Sequence, residues 1–151
     1  MRFIVSSVEF AKVDILDNNL SRSVWKWLLV YVWISKQDCE DKNIDERIQK
    51  AVKKLTNLKL INDEQTDKIS LSVKDINGEI LLISNFTLYG RNKKGNKMDF
   101  LDSGWFSCSK RIYDKLLEEL SKEVLLKTWE FGAKMKVYSE NLWPLNYVLE
   151  I

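Results

Sequence analysis

The sequence predicts one α+β domain over residues 1–151, in which two helices pack on a strongly twisted, mostly antiparallel sheet or partial barrel. Three observations predict this class. Short apolar runs rich in β-branched and aromatic residues lie between turn residues, two longer stretches have helical periodicity, and no repeat or linker interrupts the chain. A chain of 151 residues is long enough to bury a core without metal or disulfide support.

The first third of the chain is predicted to form strands. Phe3–Val8 alternates between faces and is expected to be the first strand. Val13–Leu16 and the chain from Leu20 onward flank the turn residues 17–19 and predict a hairpin. Trp27–Ile34 is continuously apolar and rich in aromatic and β-branched residues, which favours a strand that is buried on both faces.

A helix is predicted at Asn43–Leu58, after a polar segment, SKQDCEDKN, that is expected to be a loop. The apolar residues of this helix recur on one face, and the lysine-rich opposite face is interpreted as a solvated surface. Asn43 and Glu46 are expected to cap the N-terminus as a pair. Lysines near the C-terminal end complement the helix dipole.

The apolar runs Ile69–Val73 and Ile80–Leu88 flank Asn77-Gly78, a dipeptide that readily supplies the positive φ angles of a tight turn. They predict an antiparallel hairpin. The second run is apolar on both faces until it becomes polar within Ser84–Thr87, and a basic loop follows. This arrangement is typical of a buried strand with a solvated turn, but it also suits a site for a polar, anionic ligand.

The last third contains a second amphipathic helix, Ser103–Glu123, with Phe106 expected on its buried side. The only proline, Pro144, is tolerable at the start of a strand because its missing N–H need not join the ladder there. Three closing strands are predicted at Leu125–Lys127, Ala133–Ser139 and Leu145–Ile151.

Composition excludes several classes of function. The net charge of +2 is too small to indicate non-specific nucleic-acid binding. The chain has no histidine, and Cys39 and Cys108 lack metal-ligand spacing, so no metal site, cofactor or histidine base is expected. The two cysteines could bridge, but nothing in the sequence pairs them, and free thiols in a reducing compartment are predicted. With no signal peptide and no apolar run long enough to span a bilayer, a cytoplasmic protein without membrane contact is expected.

Segments along nearly the whole chain resemble the D-aminoacyl-tRNA deacylases, also called the D-tyrosyl-tRNA deacylase family. SNFTLYG and the basic loop RNKKGNKMDF resemble the family's Ser-Gln-Phe-Thr-Leu signature and the loop after it. NLKLINDE, KISLSV, TWEFGAKMKV and ENLWPLNYVLE match further segments in the family's order. Members hydrolyse the ester that joins a D-amino acid to the 3′ end of tRNA. The resemblance implies the same activity here, carried by backbone groups and the 2′-hydroxyl of the tRNA.

The resemblance assigns catalysis to the signature strand. Backbone N–H groups after Ser84 would hold the ester carbonyl, and Thr87 would hydrogen-bond near the scissile bond. Asn85 is one methylene shorter than the family's glutamine. The residues assigned in this way are Ser84, Asn85, Phe86 and Thr87.

The resemblance also implies contacts with the tRNA. A Phe-Gly-Ala-x-Met segment would line the pocket of the terminal adenosine, because an aromatic ring and a thioether suit a purine face. Ordinary core packing explains Phe131 and Met135 equally well. The matching residues are Phe131, Gly132, Ala133 and Met135. The basic loop suits either tRNA phosphates or solvent, and contains Arg91, Lys93, Lys94 and Lys97.

The family's chirality filter is a Gly-Pro pair with a cis peptide bond that reaches across a homodimer into the partner's pocket. Here Trp143 precedes Pro144 in place of that glycine, and Asn146 replaces a threonine, while Asn141 matches the pattern. A homodimer is therefore expected, with these four residues at the substrate. Glycine at this position lets the backbone approach the substrate closely, so the indole of Trp143 is predicted to alter function.

Four further tryptophans fall on family glycines. They are expected to lie in extended segments and to point outward, where an indole in place of glycine lowers the stability of the fold only a little. Their positions are Trp25, Trp27, Trp33 and Trp129.

Three functions agree with these patterns. The first is a homodimeric hydrolase that edits D-aminoacyl-tRNA. The second is a catalytically impaired homologue that binds tRNA, another nucleic acid or a protein. The third, an ester or amide hydrolase with Thr87 as nucleophile, is disfavoured because the matched segments hold no side-chain base. An indole that fills the pocket would favour the second function.

Overall fold

The computed structural model describes residues 1–15, 21–93 and 95–151, without the side chains of residues 22, 24–27, 143 and 144. Helices and strands both form within these ranges, so the α+β class is confirmed. In chain order the elements are β1 (Arg2–Ile15), β2 (Ser21–Trp33), α1 (Lys36–Glu40), α2 (Ile44–Asn57), β3 (Ile61–Asp63), β4 (Lys68–Leu71), β5 (Glu79–Ser84), a 3₁₀ helix (Phe86–Tyr89), α3 (Phe106–Ser121), β6 (Leu125–Thr128) and β7 (Met135–Glu150).

The main sheet has the strand order β6-β5-β2-β1-β7. Most of its pairing is antiparallel because β1 forms long antiparallel ladders with both β2 and β7. The predicted first hairpin is confirmed as β1 and β2, although the expected turn at 17–19 lies outside the described residues. In contrast, β5 lies parallel to both β2 and β6. The chain crosses from β5 to β6 through α3, since parallel neighbours cannot be joined by a tight turn.

The predicted hairpin about Asn77-Gly78 is wrong. Asn77 has the expected positive φ of 50°, and the N–H of Gly78 donates to the carbonyl of Val73 at 2.8 Å. The turn therefore forms, but it joins two sheets. The preceding strand, β4, pairs instead with β3 across an earlier turn held by the carboxylate of Asp63. A local turn reverses the direction of the chain, but it does not determine which strands pair with each other.

Alternating residues of β5 supply two separate apolar clusters. Ile80 and Leu82 join the cluster beneath α2 and α3, whereas Leu81 and Ile83 join the cluster on the opposite face. All four are fully or almost fully buried. Covered faces on both sides explain the continuous apolar run, and they confirm the predicted central strand.

Two predicted helices are confirmed as α2 and α3, but their details differ. Phe106, expected on the buried side of α3, is 60% exposed because it lies in the first turn, at the edge of the helix contact. The expected cap by Asn43 is wrong, since its side chain forms no cap hydrogen bond.

The segment SKQDCEDKN forms the short helix α1, so the expectation of a loop was wrong. Ser35 and Asp38 cap it reciprocally: the Ser35 hydroxyl accepts from the Asp38 N–H, and the Asp38 carboxylate accepts from the Ser35 N–H. The buried carboxylate also forms ion pairs with Arg47 and with the amino group of Met1, both at 2.8 Å. These partners come from distant parts of the chain, so local sequence did not indicate them.

Cys39 and Cys108 form a disulfide, and the prediction of free thiols was wrong. Helix α1 brings Cys39 against the first turn of α3, where the Cα atoms of the two cysteines lie 5.9 Å apart. The pairing depends on α1, which the sequence pattern did not predict. Among the helices of the described residues, none is both long and apolar enough to cross a membrane.

Candidate active site

The central strand β5 ends at Ser84, and the 3₁₀ helix begins two residues later. The Asn85 side-chain oxygen caps this helix, since it accepts from the N–H of Thr87 at 3.2 Å and from its hydroxyl at 2.6 Å. The N–H of Asn85 donates to the carbonyl of Val32. The N–H of Phe86 has no hydrogen-bond acceptor among the described residues. Phe86 therefore supplies the available backbone donor after Ser84.

A second turn, carrying Phe131 and Gly132, is fixed against the end of β5. The N–H of Gly132 donates to the Ser84 hydroxyl at 3.1 Å, and the N–H of Ala133 donates to the carbonyl of Glu130. Gly132 has a φ of 75°, and a Cβ atom there would lie 3.0 Å from the Phe106 ring. The positive φ favours glycine at this position, and a Cβ there would press on the Phe106 ring. The signature strand and the Phe-Gly-Ala segment thus meet.

Phe131 lies at the centre of an aromatic cluster and is only 9% exposed. Its ring stacks on Trp33 with centroids 5.1 Å apart and planes inclined by 14°. Phe106 and Tyr113 contact it at 5.3 and 5.1 Å with steeper inclinations. Phe86 meets Trp33 edge-on at 6.2 Å. The cluster joins Phe131 to the catalytic candidates, and three other rings contact its ring.

Trp33 does not point outward, so the prediction for this residue was wrong. It is 5% exposed, and its Nε1–H donates to the Ser103 hydroxyl at 2.5 Å. Strand β2 lies inside the sheet, and its end packs against the loop before α3 through Ser103. Trp129 is also not a freely exposed residue, since it packs against the second apolar cluster. The side chains of Trp25 and Trp27 lie outside the described part of the chain.

The structure separates Met135 from Phe131. Met135 pairs with Ile15 at the start of β7 and packs against the second apolar cluster, on the sheet face opposite to Phe131. The two residues share a short sequence motif, but the entry into β7 sends their side chains to different faces of the sheet. Met135 therefore belongs to the core here.

The Asn-Leu-Trp-Pro segment lies far from the signature strand of its own chain. Asn146 pairs with Ser6, whose other partner is Leu29, and Leu29 pairs with Leu81 of β5. Three strand spacings of about 4.8 Å separate Asn146 from β5, or roughly 14 Å. Asn141 lies farther along β7, and both asparagines are exposed. The side chains of Trp143 and Pro144 are not described.

The basic loop is a small hairpin whose base is closed by Arg91 and Asp99. Two backbone hydrogen bonds of 2.9 and 2.8 Å join them, and the Arg91 side chain forms ion pairs with Asp99 and Asp102. Arg91 is therefore a structural anchor. Lys93 and Lys97 are exposed and form no side-chain hydrogen bond or ion pair within the described residues. Lys94, the fourth predicted phosphate contact, lies outside them.

Within the described part of the chain, the side-chain hydrogen bonds of Ser84, Asn85 and Thr87 involve no titrating group. Burial raises the pKa of Tyr113 to about 12, so its phenol stays protonated at neutral pH, where it donates to the Leu82 carbonyl at 3.1 Å. Ser84, Phe86, Thr87 and Gly132 contribute main-chain and hydroxyl groups only. Within the described ranges, no three histidine, cysteine or acidic residues group as metal ligands. This arrangement suits reactions driven by positioning and hydrogen-bond donation.

Comparisons with known proteins agree on one family. The family model described as D-Tyr-tRNA(Tyr) deacylase matches residues 4–150. The chain is 39% identical over 152 residues to a D-aminoacyl-tRNA deacylase of Finegoldia magna, covering 99% of this chain and 97% of that protein. It is 38% identical over 151 residues to one of Clostridium botulinum, strain 657 / Type Ba4, with the same coverage.

Two solved structures have the same fold. A c-Myc DNA Unwinding Element Binding Protein superposes with a TM-score of 0.88 at 32% identity, covering 100% of this chain and 99% of the other. A probable eukaryotic D-amino acid tRNA deacylase superposes with a TM-score of 0.84 at 14% identity, covering 99% and 98%. The second similarity concerns the fold alone.

Proposed function

Because the chain belongs to the D-Tyr-tRNA(Tyr) deacylase family, we propose that it hydrolyses the ester bond of D-aminoacyl-tRNA and so removes wrongly charged tRNA. The observation that carries this proposal is the unpartnered N–H of Phe86 at the end of the central strand. It offers a fixed donor to an ester carbonyl. Aminoacyl-tRNA is a cytoplasmic molecule, and we place the protein there.

In the proposed reaction, water adds to the ester carbonyl while its oxygen accepts from the Phe86 N–H. The bond to the 3′ oxygen of the tRNA then breaks, which releases the D-amino acid and a free 3′-hydroxyl. The Thr87 hydroxyl donates its hydrogen to Asn85, so its oxygen remains an acceptor near the scissile bond. The neighbouring 2′-hydroxyl of the tRNA assists. One oxyanion donor contributes about 2.7–4 kcal/mol to such reactions.

We propose that a second copy of the chain completes the site. Asn141 and Asn146 lie across the sheet from Ser84, so within one protomer they cannot reach the substrate. Strand β7 is an edge strand with exposed Tyr147 and Val148, a surface suited to association. Light scattering at micromolar concentration should give twice the mass of the chain. A monomer would remove the cross-subunit filter from the proposal.

Hydrolysis of D- and L-aminoacyl-tRNA, charged with the same amino acid and assayed side by side, tests the function. We expect release of the D-amino acid and little release of its L-isomer. No turnover of the D-ester at high protein concentration, with tRNA binding retained, would favour the impaired binding protein instead. One observation favours that second candidate: the indole of Trp33 covers the Phe131 ring on which a terminal base would stack.

Replacement of Lys93 and Lys97 by alanine should weaken tRNA binding at low salt. Both are exposed on the loop beside the proposed site, and each contact with a phosphate releases a bound counterion. The slope of log affinity against log salt should fall by about 0.7–0.9 for each lysine that contacts a phosphate. Binding is measured by fluorescence anisotropy over a salt series. Alanine at Lys50 and Lys53, exposed on α2, is the matched control, and an equal loss there would refute a specific role for the loop.

A further inference from the structure

The contact between Trp33 and Phe131 has the geometry of a base stacked on an aromatic residue. Their rings are nearly parallel, at 14°, whereas the other ring pairs of the described cluster are inclined by at least 52°. The indole is a fused five- and six-membered ring, with the size and shape of a purine. Its Nε1–H donates to the Ser103 hydroxyl, as a base would to a polar group of its pocket.

The remaining sides of Phe131 are already covered. Tyr113 and Phe106 contact it at steep angles, so the face stacked on Trp33 is the one that a flat ligand would use. Ser103 is fixed by a bridge to Ser35, and the adjacent Gly104 N–H donates to the Ile34 carbonyl. The loop therefore presents the serine hydroxyl to whatever stacks on Phe131.

From these contacts we propose that the indole of Trp33 occupies the adenine subsite of the proposed active site, with Phe131 as its stacking face and Ser103 as its polar contact. The inference rests on the proposed function, since adenosine is the nucleoside at the 3′ end of tRNA. A residue without an indole at position 33 opens the subsite.

Adenosine 5′-monophosphate, titrated calorimetrically, is the probe. Trp33→Gly and Trp33→Ala should bind it about five-fold or more tighter than the unchanged chain, since one aromatic stack on a base accounts for such a factor. Trp105→Gly, at a tryptophan that is 48% exposed, is the control and should leave the affinity unchanged. Circular dichroism verifies that each variant is folded.

Trp33→Leu keeps more of the core filled than glycine or alanine does and removes the fused ring, so it decides the question if both smaller variants unfold. It should then bind adenosine 5′-monophosphate more tightly than the unchanged chain. Folded Trp33 variants with unchanged affinity would overturn the subsite. A variant that binds the nucleotide yet leaves D-aminoacyl-tRNA intact would instead overturn the proposed function and keep the subsite.

The numbers of tryptophans and glycines in the chain support a second inference. The chain has six tryptophans and five glycines, whereas a domain of this length ordinarily holds about ten glycines. By the resemblance described above, the tryptophans at 25, 27, 33, 129 and 143 fall where the family has glycine, and Trp105 does not. Each exchange replaces the smallest residue by the largest, within a chain that is 38–39% identical to two of its relatives.

One cause accounts for all five exchanges. The codon UGA is read as tryptophan in one variant genetic code and as glycine in another. We infer that UGA encodes these five positions and that the producing cell inserts glycine at each, which would also clear the Phe131 ring of the Trp33 indole. The codons of the gene and mass spectrometry of peptides from the native cell test this. We expect UGA with glycine at the five positions and UGG with tryptophan at 105. UGG codons, or tryptophan in the five native peptides, would overturn it.

Discussion

Replacement of Trp143 by glycine should raise the rate of D-aminoacyl-tRNA hydrolysis by a factor on the order of 10², the loss that a misplacement of about 1 Å causes at a reacting centre. In the proposed homodimer, the backbone at this position approaches the substrate of the partner protomer. A glycine permits that approach because it has no side chain, whereas any larger residue at this position adds bulk to the backbone that must come close. Steady-state kinetics with D- and L-charged tRNA measure the change.

Trp105→Gly serves as the matched control, because it removes an indole from the start of α3 and not from β7. It should not raise the rate. Light scattering on the Trp143→Gly variant should still report a dimer. An unchanged rate in a dimeric, folded Trp143→Gly protein would contradict the cross-subunit role of this segment. If the variant's rate of L-ester hydrolysis rises as much as its rate of D-ester hydrolysis, the pocket is wider but has no chirality filter.

Reduction of the Cys39–Cys108 disulfide should lower the free energy of unfolding by about 4 kcal/mol. The bond closes a loop across 69 residues, and its loss returns that conformational freedom to the unfolded chain. It also releases α1 from α3, next to the loop that carries Ser103. Urea unfolding, followed by circular dichroism with and without a thiol reductant, measures the effect.

The double variant Cys39→Ser with Cys108→Ser is the control for the reductant. Its unfolding midpoint should match that of the reduced protein and should not respond to thiol. If the unchanged protein unfolds at the same urea concentration in both buffers, the disulfide contributes no stability in solution. A reductant effect on the double variant would mean that the thiol acts elsewhere.

The sequence by itself determined the elements whose signal is local and repeated. The periodicity of α2, the first hairpin and the doubly covered strand β5 all follow from residue patterns that burial imposes on a helix or strand. Ser84–Thr87 was recognised as the polar end of an apolar strand, whereas the roles of these residues and of Gly132 came only from the resemblance to the family. The chain lacks histidine, so no histidine base was expected at the site.

Only the tertiary structure decided which of these pieces meet. It paired β4 with β3 instead of β5, and it joined Cys39 to Cys108 through α1. It placed Met135 on the opposite sheet face from Phe131, and it turned the Trp33 indole onto the Phe131 ring. Each outcome depends on contacts between residues far apart in the chain. Burial and hydrogen bonding fix those contacts only once the sheet and helices have assembled, so no local sequence pattern predicts them.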